Sequence, residues 1–198
     1  KQVEAEAWDR LREKIDWLLA QARLVVLSGS LTPGAPQDFY AWCVERAHEK
    51  NVRALVDASG EPLKLALEKK PFLVKPNRVE LTRTVGTEDL WEGINRLMQT
   101  GARNVIVTMG KEGSVAADGR TRWKMAPPGT EVVSPIGSGD AYAAGTAAAL
   151  DRGDELVEAA RLGTACAAAN AMTAVSGYLR REDVEAIVPK VQIEMLKH

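Results

Sequence analysis

The chain has 198 residues, 45% of them hydrophobic and 27% charged, which is enough to bury a sizeable core and typical of a globular protein. Its formal net charge of -1 leaves no basic excess to neutralise nucleic-acid phosphates or to hold an anionic membrane surface. Cys43 and Cys166 lack metal-ligand or disulfide spacing, which points to a reducing cytoplasm, and no apolar run is long enough to span a bilayer.

In chain order, Trp8, Leu11, Ile15, Leu18 and Leu19 recur at helical spacing among charged residues and predict an amphipathic helix over 3–22. A short apolar strand at 24–27 leads into the Gly- and Pro-rich loop 28–36, then a helix through Phe39, Trp42, Cys43 and Ala47. A second strand over 52–56 ends at Asp57, a short helix covers 62–69, and a third strand at 72–74 runs into Lys75, Pro76 and Asn77. The pattern Leu90, Trp91, Ile94, Leu97, Met98 predicts a helix over 88–99 that stops at Gly101. A fourth strand follows at 104–108, and segments 114–117 and 121–125 read as a hairpin across Asp118-Gly119. Three helices complete the chain, over 141–151, 156–173 and 181 to about 196. His48 and His198 form no triad or metal pair, and there is no internal repeat or linker.

Short apolar strands alternating with helices imply crossover connections and a mainly parallel sheet covered on both faces. Ligands of such sheets bind beyond the carboxyl ends of the strands, so the polar loops after successive strands are expected to share one site. These loops are 28–34, 57–60, 75–80, 108–113 and 137–140.

The last of them is the most informative. In 132–145 an apolar run ends in Gly137-Ser138-Gly139-Asp140 and an Ala-rich helix begins. Gly137 and Gly139 let several N–H groups point into one small space, and the helix start adds unpaired donors and the positive end of its dipole. Such a place suits an anion, most naturally a phosphoryl group in transfer, with Asp140 where a carboxylate can accept a proton from an attacking hydroxyl. An ordinary N-cap fits the same residues.

Five segments occur together in one order: Ser28-Gly29-Ser30-Leu31-Thr32-Pro33-Gly34, Val56-Asp57-Ala58-Ser59-Gly60-Glu61, Lys75-Pro76-Asn77-Arg78-Val79-Glu80, Thr108-Met109-Gly110-Lys111-Glu112-Gly113 and Gly137-Ser138-Gly139-Asp140. In this the chain resembles the phosphofructokinase B type of sugar kinase in the ribokinase-like superfamily, especially the hexose-phosphate branch that includes 1-phosphofructokinase and tagatose-6-phosphate kinase. The resemblance implies a three-layer αβα fold and an ATP-dependent kinase that converts fructose 1-phosphate, fructose 6-phosphate or tagatose 6-phosphate to a hexose bisphosphate. By the same resemblance Asp140 is the catalytic base, and Gly137, Ser138 and Gly139 form the anion hole. Lys75 is implied to reach phosphate, while Asn77 and Glu80 position Mg²⁺ and its waters. Thr108, Gly110 and Gly113 correspond to a nucleotide loop, and Thr164 to Asn170 to the adenine side; taken singly, 75–80 also reads as a strand end with a Pro turn, 108–113 as a tight hairpin, and the Ala face of 164–170 as close helix packing. Ser30 matches a sugar-phosphate contact and Asp57 stands at the next strand end.

Two departures from the family pattern matter. Ser134 replaces an acidic residue common three positions before Gly137, which removes one side-chain ligand for a monovalent cation and leaves K⁺ to backbone carbonyls near Ser134, Ile136 and Asn170. The strand-rich front of the family, with its Gly-Gly sugar motif and the lid that often joins two subunits, has no counterpart in this chain, which starts at Lys1. Residues 1–198 are therefore expected to be the C-terminal nucleotide-binding and catalytic portion of one kinase domain, with any homodimer formed through the missing lid. A non-catalytic ATP-binding module and a vitamin or nucleoside kinase of the same superfamily are the competing readings.

Overall fold

A computed structural model describes residues 3–196, so Lys1, Gln2, Lys197 and the second histidine, His198, lie outside the described residues. The chain divides into two compact units, Lys1–Arg103 and Asn104–His198.

In the first unit the expected alternation is present. Helix α1 (Ala5–Leu19) leads to strand β1 (Leu24–Ser28), helix α2 (Phe39–Glu49) to β2 (Arg53–Asp57), and α3 (Gly60–Glu68) to the short β3 (Leu73–Val74). The three strands pair in parallel, with Ser28 opposite Asp57 and Val56 opposite Val74. Leu55, Leu63, Leu67 and Leu73 are fully buried and form much of this core. Burying each stabilises the fold by about 1.5–3 kcal/mol. Helix α1 packs less completely than its periodicity predicts: Trp8 meets Phe39 edge-on and the Arg12 guanidinium lies over Trp42, whereas Leu11 and Leu18 remain exposed.

Helix α4 (Arg78–Val85) is absent from the sequence-based expectation. Its apolar face is slight, with only Leu81 and Thr84 buried, so periodicity does not announce it. Its ends do: Asn77 and Glu80 form a capping box, and Gly86 closes the helix with φ 74°. Helix α5 (Leu90–Thr100) follows, capped by Asp89, with Ile94 and Leu97 buried as predicted.

The second unit begins with β4 (Asn104–Thr108), β5 (Ser114–Ala117) and β6 (Arg122–Ala126), all antiparallel, and the predicted hairpin is present between β5 and β6. Helices α6 (Ser138–Arg152) and α7 (Leu156–Ala171) pack against each other through small residues. A Cβ on Gly145 would crowd Cys166, and one on Gly163 would overlap the Thr146 hydroxyl and crowd the Tyr142 ring, so the backbones approach where side chains are missing.

The end of the chain corrects the sequence reading. The single helix expected over 181–196 is a short helix α8 (Arg181–Ile187), a 3-10 turn at Val188–Lys190 containing Pro189, and strand β7 (Gln192–Leu196) antiparallel to β6. Proline cannot donate to a continuing helix, and the hydrogen-bonding edge of β6 is a partner the local pattern does not reveal.

Candidate active site

In the first unit, parallel register sets Ser28, Asp57 and the residue after β3, Lys75, side by side at the carboxyl ends of β1, β2 and β3. The Lys75 ammonium lies 3.0 Å from Asp57 Oδ2, both side chains being largely sequestered at 3% and 13% exposure. Ser28 Oγ donates to the same oxygen at 3.5 Å. The backbone fixes this edge: Gly29 N–H donates to the Asp57 carbonyl, Lys75 N–H to the Val56 carbonyl, and the Tyr40 hydroxyl donates to the carbonyls of Ser28 and Gly29 at 3.1 Å. Burial, with the nearby Cys43 and Asp57, raises the Tyr40 pKa, keeping it a donor. Ser30 is exposed in the loop just beyond.

Asn77 and Glu80 come together as the capping box of α4. Asn77 Oδ1 accepts from Glu80 N–H at 2.9 Å, and Glu80 Oε2 accepts from Asn77 N–H at 2.7 Å. One carboxylate oxygen of Glu80 and a second lone pair on Asn77 Oδ1 are not used by the box, and those hard oxygen donors suit Mg²⁺ approached through its waters. Thr84 also ties α4 to the start of α3, accepting from Gly60 N–H at 3.1 Å.

In the second unit, Gly137 and Gly139 are glycines for different reasons. Gly137 has φ 84°, and a Cβ there would overlap Ser176 Oγ and Gly177 N, so conformation and packing both demand glycine. Gly139 lies in the first turn of α6 at an ordinary helical φ, and a Cβ on it would meet nothing within 4 Å. Among the described residues nothing requires glycine at that exposed position. Asp140 follows it, also exposed and in the same first turn.

A brace holds this turn from behind. Ser138 Oγ donates to Asn170 Oδ1 at 3.2 Å; Asn170, fully buried, donates through Nδ2 to the carbonyls of Tyr178 at 2.9 Å and Val175 at 3.4 Å. Thr173 donates toward the same loop, and the N–H groups of Val133 and Ser134 converge on the Ala171 carbonyl. Asn170 thus connects Ser138 to the loop 175–178, a role that sequence reasoning missed because it rests on tertiary contacts.

Thr164 sits in a buried hydroxyl cluster: its Oγ1 donates to the Ala160 carbonyl at 2.8 Å and lies 3.3 Å from Ser114 Oγ, which is 2.9 Å from the Tyr142 hydroxyl. Complete burial drives the Tyr142 pKa up to about 12 despite the hydrogen bonds from Ser114 and Thr164. Thr108 pairs with Ser114 across the β4–β5 ladder, and the turn between them closes through Met109 N–H on the Gly113 carbonyl. Gly113 has φ 89° and backs against the Met125 carbonyl, while Gly110, with φ 58°, faces open space. Among the described residues no group of three or more His, Cys, Asp or Glu is placed to hold a metal, and no helix is long and apolar enough to cross a membrane.

The chain is 33% identical over 183 residues to 1-phosphofructokinase of Bacillus subtilis, covering 90% of this chain and 60% of that protein. It therefore spans less than two thirds of that relative's length. Phosphofructokinase-2 of Escherichia coli, solved in complex with potassium, superposes with a TM-score of 0.88 at 26% identity over 96% of this chain and 63% of that one. Ribokinase of Arabidopsis thaliana, solved with ribose and ATP, gives a TM-score of 0.75 at 20% identity, over 94% of this chain and 60% of that one, a likeness of fold alone. Residues 2–177 match the pfkB family of carbohydrate kinases, and the chain belongs to that family and has its ribokinase-like α/β fold.

Proposed function

We propose that this chain is the nucleotide-binding and catalytic portion of an ATP-dependent kinase that phosphorylates a hexose phosphate to a hexose bisphosphate. The observation that carries the reading is Gly139: a glycine that neither backbone angle nor packing requires, in the first turn of a 15-residue helix and next to an exposed carboxylate. Its absent side chain leaves room for a phosphoryl group to meet the backbone of Gly137, Ser138 and Gly139. Ser138 N–H already donates to the Pro135 carbonyl at 3.2 Å, and the N–H groups of Gly137 and Gly139 are the donors proposed to face the ligand. In the step proposed, the substrate hydroxyl oxygen attacks the γ-phosphorus of ATP, the bond to the bridging oxygen of ADP breaks, and Asp140 accepts the hydroxyl proton.

Lys75, paired with Asp57 at the neighbouring strand end, supplies positive charge to phosphate, and Ser30 in the loop after β1 stands on the sugar-phosphate side. Thr108, Gly110 and Gly113 offer backbone to the nucleotide, with Thr164 and Asn170 shaping the helix behind it. Asn77 and Glu80 would hold Mg²⁺ through its waters. When bound, that ion neutralises charge on the phosphates. Potassium, with which the Escherichia coli relative was solved, has backbone carbonyls near Ser134, Ile136 and Asn170 as its candidate ligands here.

The test is an ATP-coupled assay of the intact protein against fructose 1-phosphate, fructose 6-phosphate, tagatose 6-phosphate, and representative vitamins and nucleosides. Turnover confined to hexose phosphates is expected. ATP binding with no phosphoryl transfer to any of them contradicts it, and turnover only of a vitamin or nucleoside reassigns the acceptor.

A further inference from the structure

We propose that Asp57 is a positioning residue, which acts by fixing the ammonium of Lys75 at the carboxyl edge of β1–β3 rather than by touching substrate. This rests on the reading of Lys75 as a phosphate-binding group. Lys75 is only 2% exposed, and a four-carbon flexible stem gives its ammonium no preferred position of its own. The carboxylate of Asp57 supplies one, 3.0 Å away, and is held in turn by Ser28 at 3.5 Å on the same oxygen. The three residues are brought together by strand register and by backbone hydrogen bonds from Gly29 and Lys75, so the arrangement is set before any ligand arrives. A carboxylate facing a phosphate directly would repel it, whereas a carboxylate paired with a lysine fixes where the ammonium sits.

The experiment is a double-mutant cycle on the intact protein, with Asp57→Asn, Lys75→Met and the double variant, scoring kcat and both KM values alongside thermal midpoints. Asp57→Asn is expected to lower kcat/KM for ATP about 100-fold, the scale of an ångström-level misplacement, with the KM for the sugar phosphate moving less than about twofold. In the Lys75→Met background the same substitution should change kcat and the ATP KM by less than about twofold, because the group it aims is gone. Should Asp57→Asn alone fail to fold, the comparison of Lys75→Met with the double variant still decides, since neither leaves a buried lone ammonium. Additive losses, or a rise confined to the sugar-phosphate KM, overturn the proposal and give Asp57 a direct role. Unchanged kinetics in Lys75→Met would overturn both this proposal and the phosphate role of Lys75. A loss in Lys75→Met with additive Asp57→Asn would overturn this one alone.

Discussion

Gly137 and Gly139 stand two residues apart in one turn and answer to different constraints. Gly137→Ala places a Cβ on Ser176 and Gly177 at φ 84°, so it should lower stability by at least the roughly 1–2 kcal/mol of a left-handed residue, read as a drop in the denaturant midpoint. Gly139→Ala meets no neighbour and gains helix propensity, so its stability should hold or rise by up to about 1 kcal/mol while phosphoryl transfer falls at least about tenfold. Loss of stability in Gly139→Ala, or full activity, would return this turn to ordinary capping.

Tyr142 gives a second prediction at this scale. Its pKa rises from an ordinary 10 to about 12 in the folded protein, so folding favours the protonated phenol. That stabilisation is complete below pH 10 and is lost as pH climbs toward about 12, where the folded tyrosine also ionises. The Cys43 thiol, pushed to about 12 by burial, adds a loss that begins lower, near its ordinary 9. The contribution of Tyr142 is therefore the difference between wild type and Tyr142→Phe: the variant should lose about 1–3 kcal/mol near neutral pH from the broken hydroxyl cluster and show a shallower fall between pH 10 and 12. Parallel alkaline unfolding curves would contradict this.

Helix α4 shows how one motif serves two ends. The Asn-x-x-Glu spacing that the family resemblance assigns to Mg²⁺ is also a capping box, and the structure spends Asn77 Oδ1 and Glu80 Oε2 on backbone N–H groups. Asn77→Ala should therefore cost about 1 kcal/mol by calorimetry whatever the metal does. Asn77→Asp keeps a competent cap, so its melting temperature should stay near wild type while the Mg²⁺ concentration for half-maximal rate shifts. Unaltered Mg²⁺ dependence would leave Asn77 with the cap alone.

The elements that could be read from the sequence are those whose signal is local. The parallel strands β1 and β2, the β5–β6 hairpin and helix α5 each carry apolar runs, turn residues or periodicity of their own. Helix α4, strand β7 and the 173–178 brace were illegible for a common reason: a weak apolar face, a strand defined by its partner β6, and a loop held by the buried Asn170. Of the candidate site, the glycines at the start of α6 suggest an anion-binding turn from the local sequence, whereas Lys75 after β3 is singled out by the family resemblance and not by its own surroundings in the sequence. The pairing of Lys75 with Asp57 was not, because it depends on which strands lie side by side.

At the scale of the molecule, the chain spans 60% of the Bacillus subtilis relative's length, and each of its two compact units has its own core and its own group of candidate residues. The first carries Lys75 and the capped Asn77 and Glu80; the second carries the Gly137–Asp140 turn and the brace behind it. In the reaction proposed, that turn holds the phosphoryl group, and Asp140 is the residue assigned the role of base. The most direct measurement is steady-state turnover of the intact protein with ATP and its best hexose phosphate, comparing wild type with Asp140→Asn. The variant should keep its ATP affinity, while kcat falls about 100- to 10,000-fold, the usual contribution of a general base. Turnover undiminished in Asp140→Asn would contradict the assignment of Asp140 as the base.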